Sequence, residues 1–308
     1  MAGWPEGQVT VQVPATSANL GPGFDSLGLA LSLYDIVRAR VLPSGVEVNV
    51  TGIGAAAANL AEGHLVIQAM RAAFDVMGGQ PPGISIYCRN EVPQGFGLGS
   101  SAAAIVSGML AARALAGADG VAALPDTAVL RLAAEMEGHA DNVAACLSGG
   151  LTICWAGADG VQAAALTPLA GLTPVVCIPA DPLLTETARK VLPTQVTHAD
   201  AAANSARAAL LIAALTLRPE LLLAGTEDFL HQPYRAAEMP ATAALITRLR
   251  DAGIAAVVSG AGPAALALTV AGSGPGAGEV ARIAAETGAS WHVRPLRVDG
   301  HGARVLPG

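Results

Sequence analysis

The sequence predicts an α+β fold in two units, and three observations carry that expectation. Segments with the two-residue alternation of strands and segments with helical period both occur along the whole chain, without a strict strand-helix rhythm. The 36 glycines and 20 prolines among 308 residues are spread between those segments as punctuation instead of gathering into a linker. Residues 151–155 read as the last strand of a first unit, so the break falls within residues 156–174, giving units of 1–165 and 166–308.

Residues 9–13 and 46–50 alternate apolar with polar or small side chains, as half-buried strands do. Residues 65–77 form a helix, with Leu65, Ala69, Ala72, Ala73 and Val76 on one face. A short strand at 84–88 runs through Pro93 into a glycine-rich turn and an alanine-rich helix at 101–115. Helices at 126–138 and 142–147 precede the strand at 151–155. The second unit reads as a strand at 175–178, helices at 185–192, 199–217 and 242–252, strands at 254–259 and 264–270, a helix at 278–288 and a strand at 290–298. Helices are thus grouped against a small sheet.

Composition excludes several roles. Charged residues make up 13% of the chain, about half the ~25% typical of soluble domains. Arg71, Arg113, Arg131, Arg207 and Arg218 nevertheless interrupt the most apolar stretches, so no run reaches the ~18 residues a membrane span needs. A net charge of −7 and 3% aromatics argue against a nucleic-acid partner, which calls for a basic patch and stacking platforms. Residues 1–13 show no basic stretch followed by an apolar one, which gives the expectation of a cytoplasmic protein. Cys88, Cys146, Cys154 and Cys177 form no CxxC pair and read as isolated reduced thiols.

The strongest local signal is Pro93-Gln94-Gly95-Phe96-Gly97-Leu98-Gly99-Ser100-Ser101-Ala102-Ala103. Three glycines at alternate positions allow positive φ and close approach of a ligand to the backbone. The serines open a helix whose first amides lack internal partners, and such a helix start attracts anions. Their hydroxyls suit phosphate oxygens or a magnesium ion. Taken alone, such a string is more often a glycine turn with a serine cap. The chain lacks GxxxxGK[ST], a correctly spaced GxGxxG and the GxSxG elbow, so other phosphate and nucleophile motifs do not compete.

This loop resembles the second signature of the GHMP kinases, the family named for galacto-, homoserine, mevalonate and phosphomevalonate kinases, and Ser259-Gly260-Ala261-Gly262-Pro263 resembles their third. Within the family the homoserine kinases are most similar. Four further segments carry that likeness: residues 14–25 (PATSANLGPGFD), 137–144 (EGHADNVA), 187–193 (TARKVLP) and 231–235 (HQPYR). The resemblance spans about residues 9–298. It implies the two-domain GHMP kinase fold, with an N-terminal domain like ribosomal protein S5 domain 2 and a ferredoxin-like C-terminal domain. It further implies ATP and Mg2+ as cofactors, with residues 93–103 holding ATP and Ser101 and Glu137 holding the metal. The amino acid is implied to sit among Asn19, Asp25, His139, Asn142, Arg189 and Arg235. The expected activity is phosphorylation of L-homoserine to O-phospho-L-homoserine on the route to threonine, by a cytoplasmic enzyme that a homodimer would suit.

The residues make chemical sense of that substrate. Homoserine carries a carboxylate, an ammonium and a hydroxyl; Arg189 and Arg235 offer guanidinium groups to the first, and Asn19, Asp25, His139, Asp141 and Asn142 offer polar atoms to the rest. Catalytic roles fall on Asp141, Asn142 and Arg235, and whether a general base takes the hydroxyl proton stays open. Each side chain also has an ordinary reading: surface pairing for an arginine, a helix cap for Asp25, an Asx turn for Asn19, a core position for His139. Glu135 stands too near Glu137 along the helix to share its direction and is expected in solvent. Two departures stand out: His64 replaces the asparagine common before the Leu-Val pair at the adenine pocket, and Ala145 replaces a proline. Another kinase of the family, of mevalonate or shikimate type, and a binding protein without turnover remain the rival readings.

Overall fold

The computed structural model describes residues 4, 7–58, 61–183 and 185–307; residues 1–3, 5, 6, 59, 60, 184 and 308 lie outside the described residues, including the start of the stretch read for a leader. The first unit comprises β1 (Gln8–Ala18), β2 (Leu27–Leu42), β3 (Gly45–Gly52), α1 (Leu65–Val76), β4 (Gly83–Asn90), α2 (Ser100–Leu115), α3 (Gly117–Ala123), α4 (Asp126–Glu137), α5 (Asp141–Ser148), β5 (Leu151–Gly157) and β6 (Gly160–Leu166). It is followed by β7 (Leu172–Pro179), α6 (Thr185–Lys190), α7 (His198–Thr216), α8 (Leu222–Gly225), α9 (Gln232–Arg235), α10 (Pro240–Asp251), β8 (Ala255–Val258), β9 (Ala265–Val270), α11 (Ala277–Glu286), β10 (Trp291–Pro295) and β11 (Arg304–Leu306).

The first sheet runs β11-β1-β2-β4-β3, with β5 pairing β2 and β6 pairing β5. The 16-residue β2 is its axis: residues 27–29 pair with β5 and residues 36–42 with β4. Among the described residues only β3 and β4 pair in parallel. The sequence reading has no strand here. The first five residues of β2 are buried without alternation; burial does alternate from residue 32 to 40, but buried Asp35 breaks the apolar face there, so a clean apolar–polar alternation is confined to residues 37–41. α1, α2, α4 and α5 share a core with this sheet, in which Met70, Phe74, Ile105 and Met109 meet Ile84 and Ile86.

The second sheet, β10-β7-β9-β8, is antiparallel throughout. Leu245 and Leu249 of α10 and Val280 and Ile283 of α11 cover one face with Val175 and Ala265. Its other face belongs to a cluster that joins the units: Leu20, Leu29 and Leu31 of the first pack with Val176, Leu211, Leu215 and Leu266 of the second. A shared apolar core fixes the units against each other, as a cavity built from both requires.

The boundary between the sheets falls between Leu166 and Leu172, but the tail does not follow it. β11, grouped by the sequence reading with residues 166–308, is a strand of the first sheet, paired with β1 at Thr10, Val11 and Gln12. Asp299 secures that return by accepting from Tyr34 Oη (2.7 Å) and from the amides of His301 and Gly302. Three residues offer too short a pattern to reveal the pairing. Among the described residues no helix is long and apolar enough to cross a membrane, and the four cysteines are free and buried.

Candidate active site

Loop 93–103 joins β4 to α2, and its backbone is turned inside out relative to an ordinary surface loop. Four successive carbonyls point back into the protein: Gly95 O accepts from Leu183 N (2.9 Å), Phe96 O from Ala264 N (3.3 Å), Gly97 O from Ser259 Oγ (2.7 Å) and Leu98 O from Thr16 N (3.0 Å). The amides of residues 95–101 donate to no acceptor among the described residues. The glycines make this possible. Gly97 (φ 73°) and Gly99 (φ 70°) are left-handed, and a Cβ would come within 2.0 Å of Ser259 O at the first and 1.9 Å of Thr16 Oγ1 at the second. Gly99 caps α2 without a side chain, so the positive end of a 16-residue helix faces outward.

That end opens onto two cavities. One, of about 290 Å³, lies beside α1 and is lined by Asp35, His64, Asn90, Gln94, Ser100 and Ser101. The other, of about 220 Å³, shares Ser100 and Ser101 and continues to Asn19, Glu137, His139, Asn142, Arg189 and Arg235. Sequence segments more than 200 residues apart thus meet at one phosphate-sized loop. Of the eleven residues assigned to the nucleotide, Gln94, Gly95, Gly97, Leu98, Gly99, Ser100 and Ser101 line these cavities. Pro93 is buried, Phe96 packs in the cluster between the units, and Ala102 and Ala103 are wholly buried in the first core; these four support the loop.

Glu137, at the end of α4, accepts a 2.5 Å hydrogen bond from Ser101 Oγ. Its side chain is only 8% exposed, and burial raises its pKa. Glu135 is exposed, as expected. His139 Nδ1 lies 2.9 Å from Asp141 Oδ1, and Nε2 lies 3.7 Å from Glu137 Oε1. Burial pulls the imidazole pKa down, but the hydrogen bond and charge of Asp141, with the charge of Glu137, raise it overall. Asp141 itself is completely buried and does not line the cavity; Oδ1 accepts from Asn142 N (2.8 Å) and Oδ2 has no partner. Asn142 does line it, held by a 2.7 Å hydrogen bond from Thr16 Oγ1.

The far wall carries the two arginines. Arg189 on α6 grips Asp25 with both terminal nitrogens, at 2.6 and 3.3 Å. Asp25 (φ 51°) is fixed by its amide donating to Asn19 Oδ1 (2.8 Å), and Asn19 is itself left-handed (φ 53°). Both are residue types that tolerate this conformation. Arg235 is fully buried. Nε donates to Ala188 O (3.0 Å), Nη1 to His231 Nδ1 (3.0 Å) and Gly260 O (3.3 Å), and Nη2 has no partner. Burial first, then the charge of Arg189, push its pKa down to about 10. A buried cation with an unused donor is a place for an anion.

Sequence reasoning missed Thr16, Phe24 and His231 as individuals, although each lies in a quoted segment. They touch site residues from behind, and nothing in a linear string distinguishes such a residue from an ordinary core residue.

The chain matches the family models for the GHMP kinases N terminal domain over residues 64–150 and the GHMP kinases C terminal over residues 206–290. It is 52% identical over 299 residues to the homoserine kinase of Streptomyces coelicolor, covering 97% of this chain and 94% of that one. It is 54% identical over 300 residues to the homoserine kinase of Streptomyces avermitilis, covering 97% and 96%. The chain belongs to the homoserine kinases of the GHMP kinase family. Among solved structures, the homoserine kinase of Cytophaga hutchinsonii superposes with a TM-score of 0.84 at 27% identity, over 99% of this chain and 100% of that one. A mevalonate kinase superposes with a TM-score of 0.65 at 12% identity, which shows the common fold. The GHMP α+β architecture expected from the motifs is the one found, and membership makes the chain a phosphotransferase that uses ATP.

Proposed function

We propose that the chain transfers the γ-phosphoryl group of ATP to the side-chain hydroxyl of L-homoserine, giving O-phospho-L-homoserine for threonine synthesis in the cytoplasm. One observation supports this above the others: Arg189 and Arg235 stand across a single small cavity from the glycine loop, with Asp25 paired to Arg189 behind its lining. A zwitterionic amino acid needs two opposite charges within a few ångströms, and the Asp25–Arg189 pair offers them already matched. The ammonium takes Asp25, the carboxylate takes the guanidinium groups, and the hydroxyl is left facing the loop.

Phosphoryl transfer passes through a loose transition state with charge spread over the equatorial oxygens, so positioning and neutralisation supply most of the rate. The amides of residues 95–101 hold the triphosphate, the cavity beside His64 and Asn90 takes the nucleoside, and the positive walls offset the developing charge. Ser101 and Glu137 suit a magnesium ion: a buried carboxylate and a hydroxyl already touch beside the phosphate loop, and the described residues contain no cluster of three His, Cys, Asp or Glu that would cage a metal by themselves. When bound, the ion supplies charge neutralisation to the phosphates. Asp141 keeps a supporting role, orienting His139 and Asn142 from the buried side.

The test is ADP release from ATP and magnesium with a panel of hydroxyl substrates. L-Homoserine is expected to exceed mevalonate, shikimate and L-threonine by at least about 100-fold in kcat/KM, the range expected of a site built around particular charged groups. Equal turnover of mevalonate, or binding without turnover of any substrate, would reject the assignment.

A further inference from the structure

His231 sits at the mouth of α9, completely buried, and the polar groups around its ring have fixed hydrogen-bonding character, the backbone carbonyls of Gly21 and Asn19 among them. Nε2 lies 2.8 Å from Gly21 O and 3.5 Å from Asp228 Oδ2, both acceptors. Nδ1 lies 3.0 Å from Arg235 Nη1, which is only ever a donor. The geometry leaves one arrangement: Nε2 carries the proton and Nδ1 offers its lone pair. The other charged or titratable groups nearby are anchored elsewhere. Asp228 Oδ2 accepts from the amides of His231 (3.1 Å) and Gln232 (2.6 Å), and Arg189 is turned toward Asp25. Phe24 stacks on the ring, with centroids 5.3 Å apart and planes at 28°. The guanidinium carbons of Arg235 and Arg189 lie 5.4 and 5.7 Å from the same Phe24 ring.

Resting on the functional reading above, we propose that His231 is a positioning residue for the phosphorylation of homoserine: locked as the neutral Nε2–H tautomer, it holds Nη1 of Arg235 so that Nη2 alone faces the substrate carboxylate. Three contacts then fix the guanidinium plane. Ala188 O takes Nε, His231 and Gly260 O take Nη1, and Phe24 covers a face. An imidazolium, or the opposite tautomer, would set two N–H donors against each other in a buried space and swing the guanidinium out of its plane. His231 does not contact substrate; it acts through Arg235.

Two substitutions divide the two bonds of the ring. His231→Asn places an amide oxygen near the Nδ1 position and keeps an acceptor for Arg235 while losing the donor to Gly21. His231→Gln reaches the Nε2 position, keeps the donor and loses the acceptor. Loss of a hydrogen bond to a charged group predicts that His231→Gln raises the homoserine KM by about tenfold or more, with the ATP KM unchanged. His231→Asn is expected to stay within about threefold of the parent, the remainder reflecting the weaker neutral bond it gives up. A residue needed only for folding would show no such split, and equal effects of the two variants on the homoserine KM, or none, would overturn the proposal. Should either variant fail to fold, the unaltered protein still decides the matter. Two-bond proton–nitrogen spectra with labelled histidine are expected to show one ring with protonated Nε2 and bare Nδ1 that does not titrate between about pH 5 and 8, the window in which a free imidazole loses its proton. A ring at this site that titrates there, or carries its proton on Nδ1, contradicts the proposal. The spectra need no substrate, so a failed tautomer and a failed assignment of homoserine are distinguishable.

Discussion

Arg189 and Arg235 reach the same cavity under opposite conditions. Arg189 has a side chain 34% exposed, sits on a helix of six residues, and is neutralised by a carboxylate that is itself 40% exposed. Arg235 is sealed from water, has no carboxylate within salt-bridge distance among the described residues, and spends its donors on two carbonyls and a neutral imidazole. A half-exposed ion pair contributes at most about 1 kcal/mol to stability, so the exchange of its partners for a zwitterion's two charges is nearly neutral. A buried cation without an anion opposes folding, as the fall of its pKa to about 10 expresses. The difference separates two tasks. On the proposed reading Arg189 and Asp25 admit and select the substrate, whereas Arg235 is preorganised and gains its counter-ion only when the substrate arrives.

Replacing each arginine by methionine is the sharpest way to break that contrast. Arg235→Met is expected to lower kcat/KM by about 10³-fold while leaving the melting temperature unchanged or higher, because it removes an uncompensated buried charge along with the anion site. Arg189→Met is expected to raise the homoserine KM by about 10- to 100-fold with kcat nearly kept, and to leave in place the hydrogen bond that the Asp25 amide donates to Asn19 Oδ1. Steady-state kinetics and thermal unfolding of the two variants check this, and equal losses in both parameters would erase the distinction.

The next effect is smaller and lies behind the cavity wall. Asp141→Asn keeps an oxygen for the Asn142 amide but removes the charge that holds His139, so homoserine binding is expected to weaken by about tenfold, the size of one charge-assisted bond, with turnover at saturation largely retained. A collapse of kcat with unchanged KM would mean that Asp141 takes the hydroxyl proton.

An effect on stability alone, with none expected on the chemistry, concerns an acid under the same constraint as Arg235. Asp35 is buried, accepts from the amides of Glu91 (2.6 Å) and Val92 (2.9 Å), and has its pKa pushed up to about 6, with burial the leading cause. A carboxyl whose folded pKa lies above its unfolded value of 3.8 favours the fold below that value and loses the advantage as pH rises through about 6. Asp35→Asn keeps an acceptor for both amides, so its stability relative to the parent should grow between pH 4 and pH 7 by up to about 3 kcal/mol. Chemical denaturation at the two pH values measures it; a parallel shift at both would show that burial does not set this group's ionisation.

The shape of the glycine loop was legible in the sequence because alternate glycines and two serines at a helix start are local signals, whereas its reading as a phosphate site rested on the motifs that accompany it. The pairing of Arg189 with Arg235 was legible only through the motifs around them, since their meeting depends on the apolar cluster that joins the units. The orientation of the HADN segment was not legible. α5 begins at Asp141, and its first turn sends that carboxylate into the protein and Asn142 into the cavity, a choice that adjacent letters do not reveal. His231 was least legible, because its acceptor Gly21 lies 210 residues away and its effect passes through another side chain.

The central claim is that Nη2 of Arg235 receives the carboxylate of the substrate. The direct measurement is a two-by-two comparison of kcat/KM for L-homoserine and for 2-amino-1,4-butanediol, which lacks the carboxylate, with the unaltered enzyme and with Arg235→Met. Loss of the carboxylate is expected to cost the unaltered enzyme about 100-fold or more, and to cost Arg235→Met only a few-fold further, because each change deletes the same interaction. Independent, multiplying losses would place the carboxylate elsewhere and contradict the account.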